Sequence, residues 1–267
     1  MTVIEADGVN MQPVQVNRIP IHVAQRYSVI VNASQAVGNY WIRAVLNTNC
    51  FNVNNPALNP TVLGVIQYEG APAGNPSSTD WSTAYGLDCL DLTLDMLQPY
   101  IPQSVPDADV QYVLDISFQT IAASHINLGY INSTSWSPLM SNPTLFSANQ
   151  GVSTFDPSQF IITLNSTQVV ELVLNNLDEG AHPFHFHGHV FWVLGWGAGS
   201  YEPGKTQLNT TNPLRRDTST IPAFGYTVVR FVNDNPGLWA LHCHIEWHVE
   251  AGLLVQFNSL PNQIKVS

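Results

Sequence analysis

"FIITLNSTQVVELVLNNL", residues 160–177, holds two runs rich in Ile, Val and Leu separated by the polar Asn165-Ser166-Thr167-Gln168, and a turn-forming "DEGAHP" follows it. Runs of the same kind recur on both sides. "HVAQRYSVIVNAS", "NYWIRAVL", "TVLGVIQY" and "DVQYVLDISF" precede it; "HVFWVLGWG", "YTVVRFVND" and "GLLVQFNSL" follow it. They alternate or run continuously, are rich in Val, Ile, Tyr and Trp, and are punctuated by Gly, Pro and Asn, as in antiparallel sandwiches. The fold class expected is all-β.

With 267 residues and 45% hydrophobic content the chain has enough apolar material for packed cores. Only 10% of residues are charged and the formal net charge is −11, which argues against electrostatic binding to nucleic acid or to an anionic membrane. No apolar run reaches the roughly 18 residues of a membrane span. Met1 opens directly onto "MTVIEADGV", which reads as a strand, so no targeting signal is visible. Four Asn-X-Ser/Thr sequons, at Asn32, Asn132, Asn165 and Asn209, nevertheless point to a secreted chain whose start is missing.

Residues 70–109 are rich in Pro, Ser, Gly and Asp without a sustained apolar period, and read as a linker. The part after it, from about 110 to 267, has strands enough for a complete sandwich. The part before it offers three or four and resembles half a domain, which would leave an open edge and an uncovered apolar face. A partner segment is therefore expected outside the chain. We divide the chain at 95/96, residues 1–95 holding the partial sandwich with the start of the linker and residues 96–267 the linker end and the complete one.

Seven of the nine histidines fall in two stretches, "HPFHFHGHVF" at 182–191 and "LHCHIEWHVE" at 241–250. Residues two apart on a strand face the same side, so His185 and His187 can converge, as can His242 and His244, while Cys243 points the other way. Sulfur with imidazole suits zinc, copper or iron; one thiolate is too few for an iron–sulfur cluster. The imidazoles available to Cys243 are His182 and His248, five residues on. Two His and one Cys with a weak axial neighbour suggest blue copper, and the residue five beyond His248 is Leu253, which cannot coordinate and should leave the site more oxidising than a methionine would. His185, His187, His242 and His244 would form a second site, joined to the first through Cys243. His189 reads as a supporting or packing residue, His22 and His125 have no partner in sequence, and Trp192, Trp196, Trp239 and Trp247 read as core or pocket wall. Cys50 and Cys89 are either a disulfide or two buried thiols.

"HPFHFHGH" and "HCHIEWHVEAGL" resemble the carboxy-terminal signatures of the multicopper oxidases. "VAQRYSVIVNA", "NYWIRA", "NPLRRDTSTIPAFGYTVVRF" and "NDNPGLWALHCH" extend the resemblance over most of the chain, to the carboxy-terminal half of a fungal, ascomycete-type laccase. The resemblance implies cupredoxin-like Greek-key sandwiches, one partial and one complete. It implies copper: type 1 at His182, Cys243 and His248 with Leu253 beside it, type 2 at His185, and type 3 at His187, His242 and His244. It places a disulfide at Cys50 and Cys89. The activity it implies is single-electron oxidation of phenols or aromatic amines, electron passage through Cys243 to His242 and His244, and reduction of O2 to water.

Two further HxH motifs of the family, from its amino-terminal domain, are absent here, so the chain is expected to complete only the type 1 site and to need an amino-terminal multicopper oxidase segment for turnover. Asp178, four residues before His182, stands where the ferroxidase branch has a carboxylate, and it also reads as a turn residue in "NNLDEGAHP". Two alternatives follow: a ferroxidase oxidising Fe(II), and a truncated copper-binding chain without turnover.

Overall fold

The computed structural model describes residues 1–51, 53, 55–80, 89, 91–92 and 96–264. Residues 81–88, 90 and 93–95 of the expected linker, including Asp95 at the expected domain boundary, lie outside the described residues. The chain packs as two compact units, Met1–Ile30 with Leu90–Ser267, and Val31–Cys89. Packing thus groups the chain differently from a division at 95/96.

The first unit begins with strands β1 (Thr2–Ala6), β2 (Val9–Gln15) and β3 (Tyr27–Ile30), an antiparallel sheet in the order β2-β1-β3. Asp7 and Gly8, both at positive φ, close the β1–β2 hairpin, the conformation that an Asp-Gly pair supplies at least cost. β2 was not among the expected strands: Gln12, Pro13 and Gln15 interrupt its apolar pattern, and Asp7-Gly8 was the available signal. Val3, Ala6 and Met11 form a small core with Leu92, Leu97 and Leu214. The end of the stretch read as a linker is therefore packed chain, and Pro99 bridges to Met11.

The second unit holds β4 (Asn39–Val45) paired antiparallel with β5 (Thr61–Gln67), and a Cys50–Cys89 disulfide. Ile42, Val62, Leu63 and Val65 on this hairpin are exposed.

The remainder of the first unit is a two-sheet sandwich. Its strands are β6 (Val110–Ile121), β7 (Ile126–Ile131), β8 (Ile161–Leu164), β9 (Val169–Asn176), β10 (His182–Phe186), β11 (Phe191–Ala198), β12 (Arg215–Arg216), β13 (Thr218–Ile221), β14 (Gly225–Val232), β15 (Gly237–Cys243) and β16 (Leu254–Ser259). Helices α1 (Thr144–Asn149) and α2 (Glu246–Glu250) are each under two turns. None of the described helices is long and apolar enough to cross a membrane. One sheet runs β13-β10-β15-β16-β8 and the other β12-β11-β14-β9-β6-β7.

The 160–177 stretch is the hinge of this architecture, because its two halves lie in different sheets. β8 pairs with β16 and β9 with β6, both in parallel, an exception to the antiparallel pairing expected from sequence. The long connections on either side permit it. β9 is buried on both faces: Val170, Leu172 and Leu174 enter the inter-sheet core with Phe184, Phe186, Phe231 and Phe257, while Val173 packs outward with Leu194 and Val228. Each fully buried Phe contributes about 1.5–3 kcal/mol by removal from water. Glu171, on the outward face, lies directly across from Arg230 of β14 and is ion-paired with it, which a buried carboxylate requires.

Candidate metal centre

The register of β10 against β15 sorts the histidines. Phe184 lies opposite Cys243 and His185 opposite His242, so the period-two alternation sends His182, Phe184 and Cys243 into the core and His185 and His242 to the other face. Immediately after β15 the chain turns into α2, which brings His248 back beneath Cys243. Cys243 Sγ lies 3.3 Å from His248 Nδ1 and 3.7 Å from His182 Nδ1, and the two imidazole nitrogens are 3.0 Å apart. Among the described residues, this buried trio is the one group of three or more His, Cys, Asp or Glu residues placed to hold a metal ion, its ligand atoms all within 4.8 Å of one another.

Burial pushes the Cys243 thiol up to about 12, against a smaller opposing effect of the Ile245 main chain. Burial also pushes His248 down to about 3, helped by neighbouring His182. A neutral thiol and a neutral imidazole in an apolar setting are donors waiting for a cation: a soft thiolate with two imidazoles fits copper, and the fully buried Leu253 offers no thioether. His182 Nε2 is 3.1 Å from Asp178 Oδ2, which orients the ring so that Nδ1 faces the sulfur. The hydrogen bond to His182 holds the Asp178 carboxyl below the usual carboxylate range, with burial opposing it. The same Oδ2 accepts from the Gly180 N–H, so Asp178 also serves as the turn residue.

On the opposite face the structure brings His185, His187, His242 and His244 together. Ring centroids are 4.8 Å apart for His185–His187, 5.1 Å for His187–His242, 5.3 Å for His242–His244 and 5.7 Å for His185–His244. His187 Nε2 and His242 Nε2 approach to 3.0 Å. Burial, opposed by the Cys243 carbonyl and reinforced by the neighbouring imidazoles, holds His242 down at about 4. This face is more open than the core site: His187 is exposed and the other three are half-buried. His187 is aimed by a tight turn at Gly188, whose φ is +69°, and a Cβ there would meet the Trp239 ring at 2.6 Å.

His189 is buried with Nδ1 on the His187 carbonyl and its ring stacked on Phe186, a supporting position. His22 and His125 join neither group. Trp196 and Trp239 pack against the main core, and Trp192 against the smaller outer cluster. Trp247 is exposed, its ring edge-on to His248 at 4.0 Å. Residues that sequence reasoning did not single out also support the site. Phe118 of β6 covers His182 and His248; nothing local marks it. Thr218 and Asp217 hold His185 Nδ1, and Arg26 pairs with Asp217. Burial raises the Asp217 carboxyl, but hydrogen bonds from Arg26, His185 and Thr218 outweigh it and leave the group well below the usual range.

Two family models, both described as multicopper oxidase, match residues 1–71 and 124–263. Laccase-1 of Botryotinia fuckeliana is 35% identical over 96% of this chain and 44% of its own length. The iron transport multicopper oxidase fio1 of Schizosaccharomyces pombe is 34% identical over 99% of this chain and 43% of its own. The crystal structure of a laccase from Botrytis aclada superposes on the whole chain with a TM-score of 0.89 at 32% identity, using 48% of that structure. The sandwich is accordingly cupredoxin-like. The chain spans about half the length of the curated relatives it matches. With donors that fit copper on one face of β15 and four converging imidazoles on the other, and with family models covering most of its length, this chain belongs to the multicopper oxidase family.

Proposed function

We propose that the chain is the carboxy-terminal half of a laccase-like oxidase, an oxidoreductase whose reductants are phenols or aromatic amines and whose oxidant is O2. The observation that carries this reading is the buried His182–Cys243–His248 trio backed, through one peptide link on each side of Cys243, by His242 and His244. His182, Cys243 and His248 would hold type 1 copper, His185 type 2, and His187, His242 and His244 type 3. When bound, copper supplies one-electron chemistry, oxidising the organic reductant at the first site and reducing O2 to water at the second.

The protein's own part is positional. Cys243 is the covalent path between the two faces. Asp178, partly exposed beside His182, would accept a phenolic proton, a role its exposure and its position beside His182 support. The open face of the four-imidazole cluster supports a segment outside this chain that supplies the remaining ligands, so the chain by itself would bind copper without reducing O2. The family models fall on either side of the 95/96 division and support it as a boundary between a middle and a carboxy-terminal domain. The disulfide and four exposed sequon asparagines support a secreted glycoprotein. Asn132 is the least suited of the four, since its side-chain amide already donates to Val113 and accepts from Asp115.

Asp178 favours a second reading, a ferroxidase, because a carboxylate beside His182 can receive Fe(II) as substrate; the iron-transport relative lends it support. The test is copper content with visible absorption and paramagnetic resonance. One copper at the buried site, with an intense thiolate-to-copper band that is lost in Cys243→Ser, is expected, separate from any Cu(II) taken up at the open four-imidazole face. Copper bound without that band would overturn the reading. With the amino-terminal segment supplied, faster oxidation of Fe(II) than of phenols would select the ferroxidase.

A further inference from the structure

His185 Nδ1 lies 2.9 Å from Thr218 Oγ1 and 3.2 Å from the main-chain carbonyl of Asp217. A carbonyl only accepts, so Nδ1 carries the ring hydrogen. The Thr218 hydroxyl agrees with that polarity: it donates to Asp217 Oδ1 at 2.8 Å and so presents a lone pair to His185. The chain of polarity starts one step further out. Arg26, just before β3, places Nη1 and Nη2 each 2.6 Å from one Asp217 carboxylate oxygen, a planar fork on a carboxylate. Arg26 is itself held, its main-chain N–H donating to Asp7 Oδ1 at 2.8 Å and Nη1 to the Ala24 carbonyl at 2.8 Å. Asp7 Oδ2 in turn accepts from the Thr218 N–H.

We infer that Arg26 is a positioning residue for His185: its fork fixes Asp217, and through Asp217 and Thr218 it fixes the tautomer and aim of the imidazole. The outcome is a ring with Nδ1 occupied and Nε2 the nitrogen left for a metal. The consequence for copper rests on His185 being a ligand, as proposed above; the hydrogen-bond relay does not. Arg26 is half-exposed and Asp217 about one-sixth exposed. A purely structural role predicts that Arg26→Met lowers stability without changing the His185 tautomer.

The experiment uses the full chain, labelled with ¹⁵N-histidine, with two-bond ¹H–¹⁵N correlations reading the His185 tautomer before copper is added. Wild type is expected to show the Nδ1–H form alone. Arg26→Met should show both tautomers and bind Cu(II) at the four-histidine cluster about ten- to a hundredfold more weakly, with the Cys243 absorption band unchanged. Arg26→Lys keeps the charge without the fork and should recover part of the single-tautomer population. A folded Arg26→Met chain that keeps the Nδ1–H form alone, or binds as tightly as wild type, overturns the inference. Should Arg26→Met fail to fold, Asp217→Asn is read by the same two criteria. A wild-type chain that takes no copper at the cluster counts against His185 as a ligand in the isolated chain and leaves the Cys243 site, tested by its absorption band, as the proposed function has it, while the tautomer comparison still decides the relay.

Discussion

At Cys243 the chemistry of one residue sets a measurable proton balance. Its buried thiol ionises only near 12, and His248 is held down near 3. Between pH 6 and 9 the thiol therefore holds its proton while His248 holds none. Copper coordinates the thiolate, so binding expels the Cys243 proton, and apparent affinity at this site should rise by about tenfold per pH unit across that window. Calorimetric titrations in buffers of different ionisation enthalpy would count the proton; a pH-independent affinity would mean that the thiol is not a ligand. The candidate ligands were legible in sequence because each signal is local: HxH on a strand, HCH on a strand, and His248 five residues beyond Cys243. Thr218, Asp217, Arg26 and Phe118 were not singled out, because their roles arise from pairing between segments far apart in sequence. Arg26 and Asp217 are 191 residues apart, and no local spacing reports such a contact.

At the scale of elements, alternation along β10 and β15 does most of the sorting, but His187 lies one residue beyond β10 and is held by a turn. Gly188 sits at φ +69° with no room for a Cβ beside Trp239, and the Asn235 side chain donates to the Gly188 carbonyl at 2.8 Å. Gly188→Ala should cost at least about 1–3 kcal/mol from backbone conformation alone. Displacement of the turn should also weaken copper binding at the four-histidine face while sparing the Cys243 band. A denaturant melt with parallel spectra of the two sites would separate these effects, and equal loss at both sites would show that the turn acts on the whole sheet. The strand-rich architecture was legible for a related reason. Continuous apolar runs such as β9 reflect burial on both faces, whereas β2, carried by "VNMQPVQ", has one mostly exposed side and a proline, and only its Asp-Gly turn marks it.

At the scale of the molecule, one buried cation joins the opening β1–β3 sheet to the sandwich within a single compact unit. Arg216 of β12 is fully buried; its Nε donates to Asp7 Oδ2 at 2.8 Å, and its Nη1 lies 3.3 Å from Tyr27 Oη and 3.7 Å from Asp91 Oδ2. Asp91 also accepts from the Thr220 N–H and hydroxyl and from Gln25. Burial alone would lower the Arg216 pKa, yet Tyr27, Asp91 and Asp7 together raise it, so the guanidinium keeps its charge through the neutral range. A buried pair of this kind adds little relative to an apolar replacement, but removing one partner strands the other. Arg216→Met should therefore destabilise the unit by up to about 3–5 kcal/mol, because buried Asp7 loses its 2.8 Å partner and keeps only Arg26 at 3.6 Å and two main-chain N–H donors. Asp7→Asn in the Arg216→Met background should recover part of that loss, giving a coupling of about 0.5–3 kcal/mol in a double-mutant cycle. Since Asp7 also holds Arg26 and Thr218, the same cycle read by the His185 tautomer would report whether the foundation of the sheet reaches the metal face. Coupling in stability with no change in the tautomer would confine Arg216 to folding.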